Sequence, residues 1–143
     1  LPMDRPILTI THRIEFSAAH RMDNPSLSPE RNLEIFGPCN RIHGHNYVVE
    51  ASLTGPVNPE TGMVANLVDL MGIMQEEIFE QLDHQFLNEV SWLGKIVVSA
   101  ETLAVAIWER LAAREKELGA PLTLVRVFES EANSAEYRGP SQN

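Results

Sequence analysis

One cysteine, Cys39, is all that the 143 residues contain. A lone thiol excludes an internal disulfide and fits a reducing compartment, so the expected location is cytoplasmic. Long apolar runs are also missing. No stretch approaches the roughly 20 residues that span a bilayer, and the opening Leu1-Pro2-Met3-Asp4-Arg5-Pro6 lacks the charged-then-apolar pattern of a signal peptide. Basic residues are scarce, 11 Lys and Arg against 20 Asp and Glu, for a formal charge of −9. That balance argues against nucleic acid as the main partner, because phosphate backbones need a basic face. It leaves room for a small phosphorylated ligand held by a few local cations such as Arg21, Arg41 or Lys95. No repeat and no low-complexity tract is present. What remains is 43% hydrophobic, the composition and size of one domain over residues 1–143.

Hydrophobic periodicity organises this chain into six elements. Ile10, His12, Ile14, Phe16, Ala18 and His20 share one parity, with Thr11, Arg13, Glu15 and Ser17 on the other, predicting a half-buried strand over 7–20. Residues 23–40 are rich in Pro, Asn, Ser and Gly and read as a long loop, a length often tied to function. A second strand is expected over 43–54, with His43, His45, Tyr47, Val49, Ala51 and Leu53 on one face. Asn66 then caps a helix carrying Leu67, Leu70, Met71, Met74, Ile78 and Leu82 and stopping near Asp83-His84. Ser99 caps another, striped by Leu103, Ile107 and Leu111 and ending at Gly119-Ala120-Pro121. Residues 122–130 and 135–138 read as an antiparallel strand pair. The order, strand, strand, helix, helix, strand, strand, is an α+β domain with the helix pair on one face of an antiparallel sheet. Little in the pattern blunts the two sheet edges, which points to an oligomer.

The chemistry concentrates around His43-Gly44-His45. Alternate strand residues face the same way, so His43 and His45 project together about 6.5–7 Å apart at Cα. With His20 from a neighbouring strand they form a three-nitrogen set that suits zinc and leaves a fourth position open; copper, nickel and iron are chemically possible. Gly44 removes a side chain where something approaches closely. Cys39 reads either as a small buried hydrophobe or, from its loop position, as a base or nucleophile whose pKa a nearby metal would lower. Asp83-His84 reads either as a helix end favoured by the dipole or as a carboxylate orienting an imidazole for proton transfer. Glu129, on the parity of Val125 and Val127, is either a strand-end carboxylate reaching solvent or a bidentate acceptor for an amino-pyrimidinone edge. His12 has no partner in sequence and is read as structural.

Taken together, Phe16-Ser17-Ala18-Ala19-His20-Arg21, Phe36-Gly37-Pro38-Cys39-Asn40, His43-Gly44-His45-Asn46-Tyr47, the run from Gly62 to Leu70, Leu82-Asp83-His84-Gln85-Phe86-Leu87-Asn88, Ser99-Ala100-Glu101-Thr102 and Val127-Phe128-Glu129 resemble the 6-pyruvoyl-tetrahydropterin synthase family, which includes the 6-carboxy-tetrahydropterin synthases of queuosine biosynthesis. The resemblance implies a T-fold: a four-stranded antiparallel sheet with two helices between strands 2 and 3, assembled as trimers that pair into hexamers. It implies a zinc lyase acting on 7,8-dihydroneopterin triphosphate. His20, His43 and His45 would bind zinc and Cys39 would be the base. Asp83 and His84 would be its relay partners across a subunit boundary, and Glu129 would anchor the pterin. The spacing C-x-x-x-H-G-H matches the queuosine-pathway enzymes and favours a 6-carboxy product, whereas the flanking Phe36-Gly37-Pro38-Cys39-Asn40 and Gly62-Met63-Val64 look closer to the animal pyruvoyl type. Other readings are a non-catalytic pterin- or purine-binding zinc oligomer and a side-chain cleavage enzyme of folate synthesis, whose members place Glu where this chain has Cys39.

Overall fold

The computed structural model describes residues 5–140, so residues 1–4 of the N-terminal stretch read above lie outside it. Strand β1 (Ile7–His20) pairs antiparallel with β2 (His43–Pro56) along its whole length, from Ile7 opposite Pro56 to His20 opposite His43. Strand β3 (Leu122–Phe128) pairs with β2, and β4 (Ser134–Tyr137) with β3, giving the order β1-β2-β3-β4. A bulge between Ser52 and Leu53 shifts the β2–β3 register by one residue. The parity expected of the first two strands holds. Phe16, Ala18, Tyr47, Val49, Ala51 and Leu53 are buried on one face with Val125 and Val127.

The helices cover that inner face. Helix α4 (Ala100–Ala112) starts in a capping box: Ser99 Oγ accepts the Thr102 N–H at 3.1 Å, and Thr102 Oγ1 accepts the Ser99 N–H at 3.0 Å. Its Leu103, Ile107 and Leu111 stripe is fully buried. The single helix expected to run on to Gly119 is instead two, α4 and the short α5 (Glu115–Leu118), which ends at Gly119 with φ 83°, the left-handed stop glycine supplies.

Helix α2 (Leu67–Met74) is capped by Asn66, whose side chain accepts the Val68 N–H at 2.9 Å. It continues through a π turn, Gln75–Phe79, into the short α3 (Glu80–Leu82). The reason lies in the spacing of its buried residues. Leu70, Met74, Ile78 and Leu82 recur every four residues, and a pure α-helix at 3.6 residues per turn would rotate that stripe off the core. The wider π turn cancels the drift. Leu67 and Met71, counted above with the stripe, face outward and are exposed. Arg110 on α4 fastens the turn, donating from Nε to the Glu77 carbonyl at 3.2 Å and from Nη2 to Glu77 Oε1 at 2.8 Å.

Two further features depart from the sequence reading. Residues 23–40 are not one loop, because they hold α1 (Pro29–Phe36) and a 3-10 turn, Gly37–Asn40. Buried Asn32 organises the approach to α1: its Oδ1 accepts the Asn24 N–H at 2.7 Å, and its Nδ2 donates to the carbonyls of Asn24 and Ser28, both at 3.1 Å. The second difference is at the edge of β1. Residues 83–86 lie along its last turns, with the Ala19 N–H donating to the Gln85 carbonyl at 3.0 Å and a parallel bridge joining Ala19 to Phe86. One end of that edge is therefore covered.

Candidate metal centre and its surroundings

Antiparallel register places the histidines. His20 ends β1 directly opposite His43, the first residue of β2, and His45 follows on the same face opposite Ala18. Their rings converge, with centroids 4.6 to 5.1 Å apart. One ligand nitrogen from each lies within 4.8 Å of the others. Gly44 between them has the predicted close approach: a Cβ there would sit 3.2 Å from the Ala18 carbonyl oxygen.

Backbone carbonyls set the tautomers. The Val98 carbonyl is 2.7 Å from His20 Nδ1, and the Arg41 carbonyl is 2.7 Å from His43 Nδ1. A carbonyl can only accept, so each Nδ1 carries a proton and Nε2 is the nitrogen left to serve as a ligand. This is the outer layer that metal-binding imidazoles use to fix ring orientation. His20 is 1% exposed, and both its Nε2 and that of His45 are buried without a hydrogen-bond partner. Burial lowers the His20 pKa, outweighing the Val98 hydrogen bond, and keeps the ring neutral. Convergent imidazole nitrogens, two of them buried and unpaired, fit a zinc-class ion. Tyr47 floors the cluster, its ring 5.3 Å from that of His45, and burial pushes its phenol up so that it stays protonated.

Glu129 joins this centre from β3. Its Oε1 accepts the Ala100 N–H at 3.2 Å, at the positive end of α4, and its Oε2 stands 3.4 Å from His45 Nε2. A cavity of about 500 Å³ lies beside them, with His45, Asn46, Phe128 and Glu129 in its wall.

The other two candidates stand apart from the trio within one chain. Cys39 is exposed on the 3-10 turn, and that turn is tied to the end of β1 by the Met22 N–H donating to the Cys39 carbonyl at 2.8 Å. Its thiol is not part of the three-donor cluster. Asp83 and His84 sit at the edge of β1. Asp83 Oδ1 accepts the Ser17 N–H at 3.0 Å, and its Oδ2 is 2.7 Å from His84 Nδ1. These two donors, Ser17 first, hold the Asp83 carboxyl below the usual carboxylate range. His84 is the one non-glycine with positive φ (60°) among the described residues, pinned by its N–H to the Ser17 carbonyl at 2.6 Å. Its side chain is 83% exposed, on the rim of a second cavity of about 500 Å³ shared with Ser17, Gly44 and His45. The pair follows the end of a helix, and its carboxylate is within hydrogen-bond distance of the neighbouring imidazole. The Val98 and Arg41 carbonyls and the Ser17 amide escape sequence reasoning, since backbone groups have no residue signature. Tyr47 was legible, as the next residue on the face of His43 and His45.

A family model described as 6-pyruvoyl tetrahydropterin synthase matches residues 9–140. The chain belongs to the 6-pyruvoyl tetrahydropterin synthase family. Enzymes of this family are lyases, and the chain is one of them by sequence. It is 40% identical over 141 residues to the Drosophila melanogaster 6-pyruvoyl tetrahydrobiopterin synthase, covering 95% of this chain and 82% of the fly protein. The solved Caenorhabditis elegans 6-pyruvoyl tetrahydropterin synthase superposes with a TM-score of 0.86 at 35% identity, covering 96% of this chain and 100% of that one. An Archaeoglobus fulgidus protein provisionally named 6-carboxy-5,6,7,8-tetrahydropterin synthase is 36% identical over 113 residues, or 79% of this chain and 90% of the archaeal one. The four-stranded antiparallel sheet of the T-fold, with its principal helices between β2 and β3, is the family's architecture. No helix among the described residues is long and apolar enough to cross a membrane.

Proposed function

We propose that this protein is a zinc-dependent 6-pyruvoyl-tetrahydropterin synthase that eliminates triphosphate from 7,8-dihydroneopterin triphosphate in the cytoplasm. The observation that carries the reading is the convergent trio, His20, His43 and His45, with two buried unpaired Nε2 atoms beside a carboxylate. The preference for the pyruvoyl product rests on the relatives. The Drosophila melanogaster pyruvoyl synthase matches 95% of the chain at 40% identity, against 79% at 36% for the archaeal 6-carboxy protein. The Cys39-to-His43 interval, which favours a 6-carboxy product, is the one observation for the second reading.

Each residue has a physical task. His20, His43 and His45 hold the metal, with the first two oriented by Val98 and Arg41. Bound zinc supplies Lewis-acid stabilisation of negative charge developing on the substrate's side-chain oxygens. Glu129 spends one oxygen on Ala100 and offers the other to the paired N–H donors of a pterin. The adjoining cavity, about 500 Å³, is in the range that holds a bicyclic ring. Cys39 moves the proton next to the substrate's side-chain oxygen. Asp83 orients His84 to relay that proton, with the pair supplied across a subunit boundary as the family resemblance implies.

Incubating the zinc-loaded protein with 7,8-dihydroneopterin triphosphate and weighing the products tests this. Release of triphosphate with a pyruvoyl-pterin supports the proposal, while acetaldehyde with a carboxy-pterin replaces it with the second reading. Absence of turnover by zinc-loaded protein overturns both. Cys39→Ala should lower turnover by about 10²-fold or more if the thiol moves the proton; unchanged turnover removes it from the mechanism.

A further inference from the structure

The chain keeps the alternation of β1 for two residues past His20, where the ladder with β2 ends. Along such a strand, residues that turn both backbone groups towards one neighbour alternate with residues that turn both away. Ser17 turns away from β2, giving its N–H to Asp83 Oδ1 at 3.0 Å and accepting the His84 N–H at 2.6 Å. Ala19 donates to the Gln85 carbonyl on the same side at 3.0 Å. Arg21 is next in that series, and a side chain receives it. The Arg21 N–H donates to Asn88 Oδ1 at 2.9 Å, and Asn88 Nδ2 donates to the Arg21 carbonyl at 2.9 Å. Met22 then turns the other way, its N–H on the Cys39 carbonyl at 2.8 Å and its carbonyl accepting Asn40 Nδ2 at 2.8 Å.

A carboxamide suits this task because it presents an acceptor and a donor side by side, as a backbone residue does. A carboxylate at the same place would offer acceptors alone, and its second oxygen would face the Arg21 carbonyl oxygen. The base of Asn88 is firm. It lies in a 3-10 turn, Leu87–Glu89, whose Leu87 is fully buried. The Glu89 and Val90 N–H groups close that turn on the Phe86 and Leu87 carbonyls at 3.0 and 3.1 Å. One short segment therefore grips β1 at Ser17 through Asp83 and His84, at Ala19 through Gln85, and at Arg21 through Asn88. His20 sits between the last two of these grips.

His20 is the last residue of β1, and the end of a strand opens more readily than its middle. The Val98 carbonyl fixes the His20 ring at Nδ1, but where the ring is carried depends on the peptides to either side of it. We propose that Asn88 is a positioning residue for the metal centre: its carboxamide takes the place of a neighbouring strand at Arg21 and so fixes the backbone that carries His20. This inference rests on the metal role proposed above for the three histidines. Both side-chain hydrogen bonds of Asn88 go to the Arg21 backbone, so it acts on a metal only through the main chain. A ligand held in place before the metal arrives saves the cost of ordering it on binding. Losing an outer partner of a metal-binding imidazole weakens metal affinity by about 10- to 100-fold, and Asn88, one step further out, is worth about ten-fold.

Zinc affinity, measured by competition with a chromophoric chelator, tests the inference without any turnover. Asn88→Leu removes both hydrogen bonds at similar volume and should raise the zinc dissociation constant about ten-fold. Asn88→Asp keeps the shape and the acceptor but loses the donor. It should also weaken zinc binding, by less, and it serves where the leucine variant does not fold. Leu118→Ala truncates a buried residue on α5 and reports general destabilisation. It should lower the melting temperature and leave the zinc constant within about two-fold of the wild type, as expected of a distant, independent site. Wild-type affinity in whichever Asn88 variants fold, or an equal loss in Leu118→Ala, overturns the inference. Amide exchange of the unsubstituted protein in chelator reads the clamp directly. The Arg21 N–H should exchange at least about ten-fold more slowly than in an unstructured chain, and an unprotected Arg21 amide also overturns it. A wild type that binds no zinc removes the metal reading and this inference together. A wild type that binds zinc beside an unaffected Asn88 variant removes this inference alone.

Discussion

Replacing His20 with leucine separates holding a metal from filling space. His20 is 1% exposed, gives its Nδ1–H to the Val98 carbonyl at 2.7 Å, and leaves Nε2 buried without a partner. In metal-free protein the substitution removes that orphan nitrogen, whose desolvation costs about 1–3 kcal/mol. It also orphans the Val98 carbonyl, at a similar cost, and deletes one hydrogen bond worth about 1 kcal/mol net. The two orphan terms offset each other, so the metal-free variant should lie about 1 kcal/mol below the wild type. Zinc changes the comparison. At a free concentration a hundred times its Kd, zinc adds about 2.7 kcal/mol to the wild type, and the two remaining imidazoles of the variant capture little of it. A kcal/mol moves Tm by about 2–4 °C for a chain of this length, so zinc should raise the wild type by about 5–11 °C and hardly move the variant. Thermal and urea unfolding with chelator and with zinc, at one protein concentration, makes the measurement. The reasoning fails if the chelated variant has lost more than about 3 kcal/mol, the range of a core cavity. It fails equally if zinc leaves the wild type unmoved.

Two further outcomes follow from geometry. Gly139 has φ 98°, and a Cβ there would meet Trp108 Cζ2 at 2.6 Å, so Gly139→Ala should cost about 2–4 kcal/mol from strain and overpacking together. Adding Trp108→Leu should recover the packing share in a double-mutant cycle, and strict additivity would show that the ring is not the obstacle. Asp83 has its folded-state pKa held below the unfolded value by Ser17 and His84, so its contribution is present above about pH 3.9 and is lost as pH falls through the lowered value. Exchange at the Ser17 and Ala19 amides should therefore accelerate only in strong acid, and Asp83→Asn should flatten that response. Loosening well above the carboxylate range would refute this reading.

The strands were legible because their two-residue alternation is carried by side chains: Phe16 and Ala18 lead to His20, and Tyr47 and Val49 follow His45, all on the buried face. The convergence of the three histidines followed from that parity. Helix α1 was not legible, since its approach is fastened by a buried amide, Asn32, in a stretch whose Pro and Ser also suit a loop. The π turn left a trace in the four-residue spacing from Leu70 to Leu82, which approximates helical spacing closely enough to pass as it. The carbonyls that orient His20 and His43 left none. Any residue can offer a carbonyl, so only the fold identifies which do. The separation of Asp83 and His84 from the trio depends on how residues 83–86 dock against β1, a tertiary contact with no local pattern.

Residues 98–100 hold two parts of the centre at once: the Val98 carbonyl takes the His20 ring, and two residues later the Ala100 N–H takes the Glu129 carboxylate. Any displacement of this short span reaches both. Whatever the carboxylate binds and whatever the imidazoles bind are then linked ligands in the thermodynamic sense, each altering the other's affinity by the same factor. Occupancy at Glu129 should be readable as a change in metal dissociation constant, and metal loading as a change in affinity for the organic ligand. The entry to α4 thereby acts as a common anchor whose rigidity sets the size of that factor.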